Sequence, residues 1–474
     1  MSDFLATLAA HLPKGTLRPA NPGELDDPRG RHEGQALAVA RPAATQEVST
    51  IVKACNQASV SVVPLGGGTG LVLGQVVHEG PAPLVISMER MTAIRAIYPS
   101  ENVIVAEAGA ILADVQKAAQ EVDRLFPLSL AAEGSARIGG NLATNAGGLN
   151  VLRYGNARDL CLGLEAVLPD GSIWNGLKRL RKDNTGYDLK NLLIGSEGTL
   201  GVITAAALRL FPQPTGEATA FFVVSDPQAA LDLLALARVA LGENISAFEL
   251  ISGVGLDFLA QTLPDLRQPF AVRPEWCVLI DVGTSGALDP FGMLEDLFTA
   301  AFAAGLARDG VIAKSEVERA AFWAVRESIP EANRRIGSIS SHDISVPLST
   351  IPAFIPEGIA ALGALGDVRV NCFGHLGDGN LHYNVFPAKG RDRRDYENIR
   401  ADVKRTVHDL VHAYDGSVSA EHGIGRLKVE DLERYQDPVK LAAMRAIKKA
   451  LDPNGIMNPG AVLRDQAPSK SHSA

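Results

Sequence analysis

Along 381–386 the chain reads Leu-His-Tyr-Asn-Val-Phe, apolar and polar side chains in alternation. That pattern predicts a strand with His382 and Asn384 on one face. Apolar runs bounded by turn residues predict further strands at 60–64, 103–106, 161–169, 221–224, 247–250, 277–282 and 340–347, and one ending near 208–212. Helical spacing marks 45–54, through Val48, Ile51, Val52 and Ala54, with Thr45 as the expected cap. It also marks 111–122, 227–241, 291–304 behind Pro290, and 438–451 with Asp437 as cap. A further helix carries Arg326 and should break at Pro330, because proline lacks the N–H and its ring clashes with the preceding turn. Residues 1–40 read as a short amphipathic helix and a Pro/Gly/Asp-rich lead, and 452–460 as a turn-rich closing strand. The alternating strands and helices of the second half suggest a sheet covered on one face. The expected division is 1–212, 213–420 and 421–474.

At 474 residues the chain exceeds a single typical core. A hydrophobic content of 46% with 46 glycines fits a globular, loop-bearing enzyme. A net charge of −9, with no basic cluster beyond 178–182, argues against nucleic acid. Cys55, Cys161, Cys277 and Cys372 are widely spaced, so no disulfide framework is expected and a reducing compartment is inferred. The start has an early Asp and no cationic run, unlike a signal peptide, and the apolar runs are too short to span a membrane. These features together predict a soluble, cytoplasmic protein with a frayed polar tail at 466–474.

Three glycine-rich segments stand out in the first half. Pro64-Leu65-Gly66-Gly67-Gly68-Thr69-Gly70-Leu71 follows a strand. It lacks both the G-x-G-x-x-G fingerprint with its acidic partner and the Lys of an ATP loop. Consecutive amides in such a loop form a nest for an anion such as a pyrophosphate. The second segment contains Glu133, Gly134, Ser135, Gly139, Gly140, Asn141, Thr144, Asn145, Gly147 and Gly148, small polar groups that suit a flat heterocycle. The third, 194–204, contains Glu197, Gly198, Gly201 and Ile203. A large ligand such as a flavin dinucleotide fits the three together.

The second half carries the candidate reactive groups. In Cys372-Phe-Gly-His-Leu-Gly-Asp-Gly-Asn-Leu-His-Tyr-Asn, Gly377 and Gly379 permit a bend that folds His375 back beside His382. Glu421, in Glu421-His422-Gly423-Ile424-Gly425, would complete a His-His-Glu set with an open position, the pattern of a catalytic metal site. Cys372 sits three before His375 on a strand and faces the other way. By the same alternation His342 and Asp343 point apart, which makes His342 a structural residue.

The segments 64–71, G-S-x-x-x-G-G-N-x-A-T-N-A-G-G and G-S-E-G-T-L-G-V-I resemble the flavin domain of vanillyl-alcohol-oxidase-type flavoenzymes. H-L-G-D-G-N-L-H and E-H-G-I-G resemble their FAD-linked D-2-hydroxy acid dehydrogenase branch, which includes D-2-hydroxyglutarate dehydrogenase, D-lactate dehydrogenase and the glycolate oxidase D subunit. The similarity runs from about Pro42 to Gly460. It implies an α+β fold: a two-part FAD-binding domain, an α/β substrate or cap domain, and a C-terminal segment returning to the FAD domain with Asn458 near the cofactor. FAD should be non-covalent, since the first glycine loop has Thr69 and no histidine. The resemblance further implies that Arg326 contacts the substrate acid. A divalent metal, zinc foremost, is expected on His375, His382 and Glu421, with Asn384 orienting the acid and His422, an imidazole that titrates near neutrality, as base. The sequence departs from the hydroxyglutarate enzymes at two substrate positions, with Ser341 for their Lys and Pro330 for their usual Thr. The expected substrate is therefore D-2-hydroxyglutarate or a D-lactate-like acid. Electrons would pass to an electron-transfer flavoprotein or a quinone-type acceptor, and a homodimer is one open assembly. A zinc-dependent hydrolase and a non-catalytic flavin-binding protein remain alternatives.

Overall fold

The computed structural model describes residues 2–464; the tail expected to fray lies outside the described residues. The chain divides into two compact units. One comprises residues 2–147, 156–212 and 422–464, and the other residues 148–155 and 213–421. The excursion at 148–155 and the placement of Glu421 both differ from a simple cut at 212 and 420.

The first unit holds a four-stranded sheet in the order Leu17–Arg18, Ala38–Ala40, Leu84–Ser87, Val62–Leu65, the last three parallel. Beside it is an antiparallel five-stranded sheet, Ile94–Tyr98, Val103–Glu107, Val202–Arg209, Cys161–Val167, Ile173–Gly176. The helix Thr45–Ala58 buries Val48, Ile51 and Val52 as its spacing predicts, but Cys55 is buried and the expected Ala54 is only half-buried. Thr45 is not its cap: Ala44 occupies that position without a side-chain bond, and the Thr45 hydroxyl donates to Glu165 instead. The expected closing strand at 452–460 reduces to one bridge, Val62 to Met457, because turns on either side prevent a longer ladder.

The second unit is built on an antiparallel seven-stranded sheet. Its order is Asp309–Ile312, Gly216–Val224, Trp276–Thr284, Ile245–Ser252, Val368–His375, Asn380–Pro387, Asp343–Ser345. The sheet is covered on both faces, not one. Alternation along Gly216–Val224 shows why. Phe221 packs edge-on against Phe322 of the helix Glu316–Ile336, whereas Phe222, pointing the other way, packs against Phe298 of the helix Pro290–Ala303. Leu279, Phe373 and Phe386 join Val325, Ile329 and Ala332 in the core of the first of these faces.

The helix Glu316–Ile336 runs through Pro330 rather than ending there. Its side chains hold it to the sheet on both sides of the proline: Arg326 bonds Glu249, Ile329 and Ala332 are buried, and Asn333 accepts from Asn371. This anchoring outweighs the bond lost at the proline, whose missing N–H would have paired with the carbonyl of Arg326.

Candidate active site

On the face carrying that helix, the sheet ends in a polar patch. Val368–His375 and Asn380–Pro387 form a hairpin in which Phe373 pairs with His382, and Asp343 on the next strand also pairs with His382. Gly379 takes a left-handed φ of +85°, as the turn requires. The hairpin brings the rings of His375 and His382 to 5.5 Å, edge to face. A ring nitrogen of each and a carboxylate oxygen of Glu421 lie within 4.8 Å of one another. Nε2 of His375 is 3.7 Å from Glu421.

Acidic groups surround these rings. Glu249, 1% exposed, accepts from Nδ1 of His375 at 2.6 Å and from Nε of Arg326 at 2.7 Å. Asp343 accepts from the backbone N–H of Glu421 and from the Asn380 amide, both at 2.9 Å, and stands 4.0 Å from Nδ1 of His382. Burial, with Asp343 and Asp378 nearby, pushes the Glu421 carboxyl up to about 7. Burial also raises Asp378. For the buried pair, the charges of His375 and Arg326 overcome burial and hold Glu249 below the usual carboxylate range. Glu249 in turn holds His375 above the usual imidazole value against burial. Carboxylates crowded round two imidazoles are the donor set a divalent cation takes, so these residues fit such an ion.

The other named residues fall into place around this patch. Arg326 is 4% exposed and pairs with Glu249, not with its helix neighbours; Glu331 is taken by Arg334 and Arg335. Asn384 lies on the same strand face as His382, and its side-chain oxygen accepts the backbone N–H of His342 at 3.1 Å. Ser341 shares a hydroxyl contact with Ser338 at 2.8 Å. His342 is buried against His408, with ring nitrogens 3.2 Å apart. Cys372 is buried, and burial pushes its thiol far up, so it is inert. Sequence patterning missed Glu249 and Asp343. Glu249 is the lone acid of a strand that is otherwise apolar apart from two serines, the one hint it offers.

The first unit contains a cleft walled by the glycine-rich segments. Pro64, Gly66, Gly67, Gly68, Thr69 and Gly70 line it, as do Gly139, Gly140, Asn141, Thr144, Glu197, Gly198, Gly201, Ile203 and His422. Several of these glycines serve chain-to-chain packing. A Cβ on Gly67 would sit 2.1 Å from the Ser135 carbonyl oxygen, and one on Gly139 2.7 Å from Ala108. Gly68 differs: its φ is +71° and open space lies beside it. Leu71, Glu133, Gly134, Ser135, Asn145 and Gly147 stand outside the lining, and Gly148 belongs to the second unit. Asn458 braces the wall from behind, donating to the carbonyls of Gly74 and Glu197 and accepting from Arg426. Gln75, which no motif marks, ties the first glycine loop by donating to the carbonyls of Gly68 and Gly70. The absence of a side chain at Gly68 and the half-buried backbone of this loop along the cleft suit a dinucleotide phosphate.

Comparison with known proteins agrees with this geometry. Residues 36–176 match a family described as FAD binding domain, and residues 213–462 match FAD linked oxidases, C-terminal domain. The chain is 37% identical to a mitochondrial D-2-hydroxyglutarate dehydrogenase of Arabidopsis thaliana, over 91% of this chain and 76% of that protein. It is 37% identical to the mitochondrial enzyme of that name from Bos taurus, over 98% and 84%. Identity is 36% to a D-2-hydroxyglutarate dehydrogenase of Xanthomonas citri pv. viticola, over 90% and 88%. The solved structure of p-cresol methylhydroxylase has the same fold, with a TM-score of 0.74 at 15% identity over 98% of this chain and 97% of that one. Alkyldihydroxyacetonephosphate synthase follows at 0.72 and 17%, over 97% and 84%. The chain belongs to the FAD-linked oxidases, in the D-2-hydroxy acid dehydrogenase branch of the vanillyl-alcohol-oxidase-type flavoenzymes. It is an FAD-dependent α+β enzyme. The expected cytoplasmic location is overturned by the relatives from plants and animals, which are named mitochondrial. Among the described residues no helix is long and apolar enough to cross a membrane.

Proposed function

We propose that this protein oxidises D-2-hydroxyglutarate to its 2-oxo acid, with FAD in the glycine-walled cleft and a divalent cation, zinc foremost, on His375, His382 and Glu421. The relatives' names support the substrate. The observation that carries the chemistry is the convergence of two imidazoles and one carboxylate within 4.8 Å. When bound, FAD would supply the hydride acceptor and the cation, held by His375, His382 and Glu421, would supply the positive charge that eases loss of the hydroxyl proton.

The chain's own groups do the rest. Arg326 holds the substrate's 1-carboxylate through its terminal nitrogens. Asn384 and Ser341 orient the acid. His422, the residue after Glu421 along the chain and part of the flavin cleft wall, accepts the hydroxyl proton on its imidazole. The carbinol thus loses a hydride and a proton and becomes a ketone. In this reading the unit of residues 2–147, 156–212 and 422–464 is the cofactor domain and the unit of 148–155 and 213–421 the substrate domain, and electrons leave to an electron-transfer flavoprotein or a quinone.

Anaerobic mixing with a panel of D- and L-2-hydroxy acids tests the proposal through bleaching of the flavin absorbance. D-2-hydroxyglutarate should bleach it fastest. The panel includes D-lactate, because Ser341 offers a hydroxyl rather than a cation to a second carboxylate. A yellow protein that no hydroxy acid bleaches would end the proposal.

A further inference from the structure

We propose that Glu249 is the positioning residue of the hydroxy-acid site, one carboxylate that sets the ligating nitrogen of His375 and the aim of Arg326 together. The inference rests on the cation site proposed above.

A wholly buried carboxylate in an apolar strand is costly unless both of its oxygens are engaged. Here each oxygen has a separate partner. Oε1 meets Nδ1 of His375 at 2.6 Å, and Oε2 meets Nε of Arg326 at 2.7 Å. Register explains the first contact, since Glu249 is the direct ladder partner of His375. Helix packing explains the second, because Arg326 is buried on the helix over this face.

Two consequences follow. A carboxylate accepts only, so Nδ1 of His375 must carry a proton and donate. In the neutral imidazole that would bind a cation, Nε2 then keeps its lone pair, and Nε2 is the nitrogen facing Glu421 at 3.7 Å. On the other arm, the bond at Nε fixes the guanidinium plane, with its Cζ 4.9 Å from the centre of the Phe373 ring. With Nε engaged, the two terminal nitrogens remain as the fork that can bind a carboxylate in parallel.

An amide of the same shape cannot do both. In Glu249→Gln, if the oxygen accepts from Arg326, the NH₂ group faces Nδ1 of His375. The ring must then accept there and carry its proton on Nε2, which blocks ligation. If the amide is flipped, His375 is served and its NH₂ group confronts the Arg326 N–H. Glu249→Asp keeps the charge but is one methylene shorter, so it reaches one partner and not the two.

The test measures zinc affinity by competition with a chromogenic chelator in flavin-loaded protein. Affinity for the 2-oxo acid is read separately, from the perturbed flavin spectrum. We expect E249Q to retain its flavin and lose about 10- to 100-fold in zinc affinity, the usual effect of removing a ligand's carboxylate partner. E249D should recover one of the two affinities and not both. Should E249Q fail to hold flavin, E249D carries the comparison alone. Zinc and oxo-acid affinities both equal to wild type in either flavin-loaded variant overturn the proposal. Wild-type protein that takes up no zinc overturns the parent reading as well, a result distinct from the first.

Discussion

The carboxylate of Glu197 accepts the backbone N–H of Gly425 at 2.8 Å, joining groups 228 residues apart in the chain. Its other oxygen takes the N–H of Ile424 at 2.7 Å, so one buried side chain ties the E-H-G-I-G segment to the third glycine cluster. Gly425 has no alternative at this point: its φ is +51°, and a Cβ would lie 2.0 Å from the Val72 carbonyl oxygen.

Glu197→Ala leaves one buried and one half-buried N–H group without their acceptor. Hydrogen bonds to charged groups are worth roughly 1.5–3 kcal/mol each. We expect a lower melting temperature and faster loss of FAD, followed by the rise in flavin fluorescence on heating. Unchanged flavin release would show that the segment is held elsewhere.

His422→Ala should keep both FAD and zinc while turnover falls about 100- to 10,000-fold, the range for a lost general base. Stopped-flow flavin reduction with D-2-hydroxyglutarate checks this. A wild-type reduction rate would remove His422 from the role of base.

Dialysis against a strong chelator should silence turnover, and zinc, manganese or cobalt should restore it. Metal analysis of the dialysed protein must show the ion gone. Full activity in metal-free protein is the outcome that defeats the cation site.

The Glu249–His375 pair sets a stability window in metal-free protein. Glu249 is held at about 2 against an ordinary 4.5, so its contribution is present above 4.5 and lost as pH falls towards 2. His375 is held at about 9 against an ordinary 6.5, so its contribution is present below 6.5 and lost as pH rises through 9. Melting temperature in chelator should therefore be highest between 4.5 and 6.5 as far as this pair decides it. E249Q should flatten both flanks. Identical pH profiles for the two proteins would contradict the coupling.

Pro330→Ala restores the N–H that the Arg326 carbonyl lacks. A proline inside a helix costs about 3 kcal/mol, so calorimetry should show a rise of a few degrees in melting temperature. If the proline also aims Arg326, KM for the hydroxy acid rises in the same variant. A fall in melting temperature would mean that the helix is built around the proline.

Much of this molecule can be read locally. The helices Pro227–Leu241 and Pro438–Leu451 occupy the spans that spacing marks out, the second behind its expected cap Asp437, because 3.6-residue periodicity and a capping Asp act over a few neighbours. The His375–His382 hairpin is legible for the same reason, two glycines and an alternating strand. Glycine clusters announce a cleft, though Gly67 and Gly139 are explained only by the chains they touch. What tertiary structure alone decides is register and face. Locally Glu249 is marked only as the one acid of its strand; the ladder between Ile245–Ser252 and Val368–His375 sets it opposite His375, 126 residues on. Pro330 breaks helices by local rules, yet packing on both sides carries this helix past it. Periodicity is a property of adjacent dihedrals, whereas pairing is chosen by the burial of whole surfaces, which no short stretch contains.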